Sequence, residues 1–352
     1  MGNSIIADDP ATRTLCPVKA PKIELHVHLE GTIRPATLLA IARRNGVALP
    51  ADTVEGLAKL YEFTDFAHFI DVWKLTTGCL RTAEDFRQVV VEYAAEAAGF
   101  GAVYLEGIFS GQAGVPWPEL FTGYTDGAVE AYERYGVTVR LTPDLYRTQD
   151  VEWAEECARW AVRYADRGVV GLGLGGLEAA APAARYARAF AIARDGGLAI
   201  VPHAGEAAGP ESVREVLAYE PARIRHGIRA VEDPAVLAEI VDRGIVLDVC
   251  PTSNVRTRVV DSLPAHPLPA LRAAGVRCTV NTDDPAMFGT DLRREYEVAA
   301  SLGVSAADAY VAGVAGALCD EDTRARLVEI GRQHYPEVPD RDWDANFRAF
   351  HG

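Results

Sequence analysis

Eight short apolar runs recur along the chain: KIELHVH (22–28), AVYLEGIF (102–109), TVRLTPDLY (138–146), VVGLGLGG (169–176), LAIVPHAG (198–205), RIRHGI (223–228), IVLDVCP (245–251) and VRCTVNTDD (276–284). Each is brief and mostly apolar, the pattern of a strand buried on both faces. Between them lie Ala-, Arg- and Glu-rich stretches with helical spacing, such as VEWAEECARWAVRYA (151–165), PAARYARAFAIARDGG (182–197) and DPAVLAEIVDRG (233–244). The last two close with glycine, a common helix stop. Alternation of this kind predicts parallel strands joined by crossovers. Eight units predict an α/β fold, a (β/α)8 TIM-like barrel. The surplus over a minimal barrel falls in two places, both expected to be extra helices. One is the connection after strand 1 (29–101), with its aromatic-rich part LYEFTDFAHFIDVW (60–73); the other is the C-terminal tail (285–352). A doubly wound sheet is the competing fold, but it wants a phosphate loop after the first strand, where this chain has HVHLEG. No linker and no solenoid-period repeat interrupts the pattern. A single domain over 1–352 is expected, with 1–20 as a loose N-terminal arm.

Composition narrows the function classes. Of 352 residues, 35 are Lys or Arg and 50 are Asp or Glu, a formal charge of −15. That balance argues against a nucleic-acid surface, which needs clustered cations. The hydrophobic share of 49% is that of a globular chain with a substantial core. Six cysteines (Cys16, Cys79, Cys157, Cys250, Cys278 and Cys319) are scattered without a CxxC pair. This is a reduced, cytoplasmic pattern and it excludes a Cys-rich zinc module. No apolar run reaches the ~18–20 residues of a membrane span. The opening MGNSIIADDP lacks a basic segment followed by an apolar one, so a secretory leader is not expected.

Polar residues gather where the strands end. His26 and His28 end the first run, Glu106 falls near the end of the second, and Gly175 and Gly176 end the fourth. His203 and Glu206 follow the fifth, His226 the sixth, and Asp283 and Asp284 end the eighth. In a barrel all these ends meet at one face, where barrel enzymes keep their chemistry. His26 and His28 are two apart and point to the same side of a strand. A lone HxH equally describes two hydrogen-bonded core histidines. With His203 and the carboxylate of Asp283, the set becomes three imidazoles and one carboxylate, which suits one zinc ion per chain with a position left for water. Zinc lowers the pKa of bound water from 15.7 toward ~7. Hydrolysis then needs a proton carrier, and Glu206 in HAGE is the candidate; the alternative is a helix-N-terminal acid. His226 is either a group that orients the attacking water or a satisfied core histidine. Adjacent strand residues point oppositely, so Asp283 and Asp284 are expected to differ in role, the second accepting a hydrogen bond from substrate. His68, His266, His334 and His351 lie away from strand ends and are expected on the surface or in loops.

These motifs, KIELHVHLEG, HAGE, RHGIRAVEDP, LDVCPTSN and NTDDPAMF, occur in order over about residues 21–300 and resemble the adenosine deaminase family of the amidohydrolase superfamily. HVHLEG, HAGE and TDDP are jointly specific. The resemblance implies a cytoplasmic zinc enzyme that hydrolyses the 6-amino group of adenosine or a 5′-modified adenosine, releasing ammonia. It implies zinc on His26, His28, His203 and Asp283. Glu206 would protonate purine N1, His226 would hold the attacking hydroxide, Asp284 would pair with N7, and the Gly176 N–H would approach N3. Ser253 and Asn254 would support the barrel mouth. The partner implied is a small purine nucleoside, with neither nucleic acid nor membrane.

The chain also departs from the adenosine-specific pattern. Glu30 stands where those members carry an Asp for the ribose 5′-hydroxyl, so Glu30 is a candidate substrate contact. LEAAAP follows Gly176 in place of an Asp-Glu pair. Arg225 precedes the His-Gly pair where Gly is usual; it either pairs with an exposed acid or faces the pocket. DDPAMFGT and REYEVA also resemble aminodeoxyfutalosine deaminases, whose substrate carries a ketone and a benzoate beyond the 5′ position. Arg225 and Arg147 are candidate cations for that benzoate. Adenine deaminase is a further branch, and a non-purine amide or ester hydrolase a more distant alternative.

Overall fold

The computed structural model describes residues 20–63 and 66–344. The expected arm, save Ala20, lies outside the described residues, as does His351. Eight parallel strands follow the chain order around one sheet: β1 (Lys22–His28), β2 (Ala102–Ser110), β3 (Thr138–Tyr146), β4 (Gly171–Gly175), β5 (Ala199–Ala204), β6 (Arg223–His226), β7 (Val246–Val249) and β8 (Cys278–Val280). The ring is completed by the segment after β8. Asp283 takes the His26 carbonyl with its N–H (3.1 Å), and its own carbonyl accepts from the His28 N–H (2.8 Å). Each strand run of the sequence is thus a strand of the barrel, and the surplus residues are helices where the sequence predicts them. Pro35–Arg44, Val54–Ala58, Phe66–Thr77 and Ala83–Gly99 lie between β1 and β2. Pro285–Phe288, Leu292–Ser301, Ala306–Gly316, Glu321–His334 and Asp340–Asp344 follow β8.

The last run is the one that differs most. It stays extended only to Val280, and by Asp283 the backbone has turned left-handed (φ 65°). The adjacent aspartates therefore sit on a turn. Strand alternation does not separate them: oxygens of Asp283 and Asp284 lie within 4.8 Å of each other and of a His28 ring nitrogen.

The barrel interior is ionic in its lower layers. Arg223 on β6 binds Glu106 of β2 (2.6 Å) and Asp248 of β7 (2.9 Å), and all three are buried. Glu106 also accepts from Tyr104 Oη (2.9 Å) and from the Leu318 N–H (2.6 Å), and Arg223 donates to the Gly316 carbonyl (2.6 Å). Glu106 therefore belongs to the floor of the barrel, away from the strand ends where the sequence grouped it. A Cβ at Gly316 would lie 2.8 Å from Arg223 Cδ, so glycine is what lets the last barrel helix meet this arginine. One layer higher, Arg225 pairs with Asp144 of β3 and donates to Thr142 Oγ1 (2.6 Å). A Cβ at Gly173 would overlap both Asp144 and Arg225, which gives the GLGLGG run a steric reason. Among the described residues no single helix is long and apolar enough to cross a membrane. The cysteines of that set are all free thiols.

Candidate active site

Strand ends and the turn after β8 bring His26, His28, His203, His226, Glu206, Asp283 and Asp284 to one face. The Nε2 of His203 is 3.2 Å from Nε2 of His26 and 3.3 Å from Nε2 of His28. Oδ1 of Asp283 is 3.3 Å from Nε2 of His26 and 3.4 Å from Nε2 of His28. These spacings match the edges of a tetrahedron with bonds of ~2.0–2.1 Å, whose edges are ~3.3–3.4 Å long. The four atoms thus gather closely enough to share a small divalent ion. Burial pushes the His28 imidazole down to about 4 and the His26 imidazole well below its ordinary value. Both rings are thus in the neutral, ligating form at physiological pH. Burial opposes the ionisation of Asp283, but the neighbouring histidines hold its carboxyl well below the usual range.

Partners behind these atoms fix their orientation. Nδ1 of His203 reaches the Leu174 carbonyl (3.0 Å) and Asp144 Oδ2 (3.3 Å), which leaves Nε2 to the site. Nδ1 of His26 lies 3.3 Å from the Asp248 carbonyl. Ser253 Oγ donates to Asp283 Oδ2 at 2.6 Å. The Arg225 and Asp144 pair thus buttresses His203 from below. The acid that Arg225 meets is fully buried, contrary to the exposed partner the sequence allowed. Arg147 is also buried and donates to the Ala181 (2.8 Å) and His203 (3.0 Å) carbonyls. Arg225 is thus spent on a buried acid, and Arg147 commits two donors to backbone carbonyls.

Glu206 stands at the mouth with its side chain 19% exposed, Oε2 3.6 Å from His226 Nε2. Burial, reinforced by the charge of Asp283, pushes its carboxyl up to about 8. Its position is set by Glu178, which sequence reasoning missed. One Glu178 oxygen accepts from Glu206, Ala207 and Ala208 N–H groups (2.9, 2.7 and 3.1 Å). The other accepts from the Gly205 N–H (2.7 Å) and from Ser212 Oγ. The missed signal was an acid two residues after Gly176 in an otherwise small-residue loop. Glu178→Gln offers one acceptor oxygen and turns an NH2 group against N–H donors. We expect a loss of roughly 2–4 kcal/mol, read as a drop in Tm. Burial opposes ionisation of Glu178, but these donors hold its carboxyl below the ordinary value. Its stabilisation is present above the unfolded carboxylate pKa of about 4.3 and is lost as pH falls through the lower folded value. The Tm gap between wild type and Glu178→Gln should therefore close on acidification.

The remaining candidates surround this centre. Asp284 is buried, its Oδ1 has no partner among the described residues, and burial together with the Asp283 and Glu30 charges holds its carboxyl well above the usual range. Gly31 makes room for it, since a Cβ there would lie 2.0 Å from Asp284 Oδ1. Glu30 is fully buried; its Oε1 accepts from the Ser110 N–H (2.7 Å), its Oε2 makes no hydrogen bond of good geometry among the described residues, the Tyr124 hydroxyl lies beside it, and burial pushes its carboxyl up to about 7. Gly176 has φ +83°, and a Cβ there would meet the Tyr146 ring at 3.1 Å. The Trp73 ring lies 5.4 Å from that of Tyr146. Of the histidines set aside, His334 is exposed on a helix as expected. His266 is not: it is only 3% exposed and lies in the site's second layer, because its ring nitrogens are taken by Asn254 and the Leu268 N–H.

Comparison with known proteins identifies the family. The family model described as adenosine deaminase matches residues 21–331. An aminodeoxyfutalosine deaminase of Acidothermus cellulolyticus is 57% identical over 323 residues, covering 88% of this chain and 91% of that protein. The crystal structure of an adenine deaminase from Arthrobacter aurescens matches with a TM-score of 0.84 at 32% identity, over 91% of this chain and 100% of that one. An amidohydrolase of Burkholderia ambifaria, solved with bound Zn, matches with a TM-score of 0.81 at 25% identity, over 93% of each chain. On the extent of the family match and the 57% identity with a full-length relative, this chain belongs to the adenosine deaminase family and is an aminohydrolase.

Proposed function

We propose that the protein hydrolyses the 6-amino group of aminodeoxyfutalosine, releasing ammonia, with one zinc ion held by His26, His28, His203 and Asp283. The observation that carries the substrate is the 57% identity to an aminodeoxyfutalosine deaminase over 88% of the chain. Zinc is supported by three imidazoles and one carboxylate with neighbouring ligand atoms 3.2–3.4 Å apart, and by the zinc-bearing relative. Bound zinc supplies Lewis-acid activation of water at neutral pH.

The chain's own residues divide the rest of the work. Glu206, protonated at neutral pH, donates to ring N1 as hydroxide adds at C6; its carboxylate then takes the proton of the new C6 hydroxyl and passes it to the amino group, which leaves as ammonia. His226 turns Nε2 toward the attacking water, between Glu206 and Asp283. Purine N7 is an acceptor, so a protonated Asp284 donates to it, which also satisfies the unpaired Oδ1. This reverses the accepting role the sequence suggested for Asp284. The Gly176 N–H approaches N3. Glu30 replaces the acid that would accept from a 5′-hydroxyl. Its Oε2 carries a proton for the substrate ketone. The Tyr146 ring, beside Gly176 and 5.4 Å from the Trp73 ring, is an aromatic surface suited to the benzoate ring. Free thiols at Cys79, Cys157, Cys250, Cys278 and Cys319 support a reducing, cytoplasmic setting.

The test is ammonia release from aminodeoxyfutalosine, adenosine and adenine at matched zinc content. We expect kcat/KM for aminodeoxyfutalosine to exceed that for adenosine by at least roughly 10²-fold, since truncating a matched substrate forfeits contacts of ~1–3 kcal/mol each. Faster turnover of adenine would move the chain to the branch of its Arthrobacter relative and overturn this reading.

A further inference from the structure

We propose that His266 and Asn254 form a directional hydrogen-bond chain that fixes the tautomer of His226, so that its proton sits on Nε2 and faces the reacting atoms. The inference rests on the role proposed above for His226 and extends it outward through two positioning residues. The chain begins at a group whose direction is invariable. The backbone N–H of Leu268 can only donate, and it lies 3.1 Å from His266 Nδ1. That nitrogen therefore presents a lone pair, and the neutral ring carries its proton on Nε2. Nε2 of His266 is 3.1 Å from Asn254 Oδ1, which accepts it. The amide orientation of Asn254 follows, with Nδ2 as donor. Nδ2 lies 3.1 Å from His226 Nδ1, which must then be the acceptor. The remaining ring proton of His226 is on Nε2, 3.6 Å from Glu206 Oε2 and 3.7 Å from Asp283 Oδ2.

The reverse direction is closed, because it would set an Nδ1–H of His266 against the Leu268 N–H. Burial supports the neutral form of His266, pushing its imidazole down to about 4. The backbone adds a second constraint. His226 has φ 59°, a left-handed conformation that costs a non-glycine residue ~1–2 kcal/mol. The ring is thus held in one orientation from behind and in one protonation pattern through Asn254, which is itself fully buried. His266 touches neither substrate nor ion in this scheme; it acts through Asn254.

The experiment uses the zinc-loaded protein with ¹⁵N-labelled histidine, the His226 signals being assigned by their loss in His226→Gln. The wild-type ring is expected to be protonated on Nε2. In His266→Phe the bulk is retained but the donor to Asn254 is lost. We expect a mixture of His226 tautomers and a kcat lower by roughly 10–100-fold at unchanged zinc content and KM. His266→Gln brings an amide N–H to the place of Nε2 and should restore both the single tautomer and most of kcat. A wild-type proton on Nδ1, or an unshifted tautomer in His266→Phe, would overturn the chain. A tautomer that shifts without a change in kcat would leave the chain intact and overturn the catalytic role of His226.

Discussion

Glu206→Gln, purified with its metal, is expected to lose roughly 10²–10⁴-fold in kcat while keeping full metal content. The substitution is nearly isosteric, and the Glu206 backbone N–H stays bound to Glu178, so the loop has no reason to move. What changes is chemistry. A carboxyl pushed to about 8 holds its proton at neutral pH yet can give it up to a ring nitrogen and recover it. An amide can do neither. Glu206 is not one of the four residues proposed to hold the ion, so elemental analysis should find zinc unchanged. Residual turnover above about a tenth of wild type would sink the assignment, because no general acid of ordinary efficiency is worth so little.

His203→Ala is expected to abolish both turnover and metal retention. His203 is the common neighbour of the two strand-1 histidines, with its Nε2 within 3.3 Å of each. Removing it takes away one of the four gathered ligand atoms and also deprives Asp144, the partner of Arg225, of its contact with the ring Nδ1. A readout independent of turnover is thermal stability with and without added zinc. A ligand that binds only the folded state raises Tm according to its concentration relative to Kd. Wild type should gain stability on zinc addition and His203→Ala should not. A full zinc complement in the variant would remove His203 from the ligand set. Asp144→Asn keeps the ligand but weakens its support, and belongs between the two, with a loss of roughly 10–100-fold in metal affinity.

Much of this architecture was legible in the chain because a fully buried strand leaves a continuous apolar signature. The bounds of β1 and β3 coincide with their apolar runs, and β2 extends one residue further to Ser110. The errors fall where tertiary geometry overrides local pattern. VRCTVNTDD reads as one long strand, yet only Cys278–Val280 is one, and the backbone has turned left-handed by Asp283. The convergence of His26, His28 and His203 could be inferred from strand ends meeting at one face. The groups that aim them could not. Asp144 is an isolated acid within β3, and its meaning depends on Arg225 from a distant strand and on the space left by Gly173. His266 lay outside every strand run, so only the folded chain brings it behind His226. Glu178 was visible as a departure after Gly176, but its partners are backbone groups, which a sequence does not announce.

The ionic floor of the barrel has a consequence for how the protein is made. Arg223 and Glu106 are completed by the Gly316 carbonyl and the Leu318 N–H, both encoded after the last strand. A ribosome emits all eight strands before these two groups appear. Until then the lowest layer of the barrel is open, and its buried charges lack two of their hydrogen bonds. Leaving such groups unsatisfied costs several kcal/mol, comparable with the whole stability of a domain. The lowest layer of the barrel is therefore expected to lock last, once Leu318 has left the ribosome. A message truncated shortly before that codon would yield a chain with every residue of the candidate site and no stable barrel to hold them.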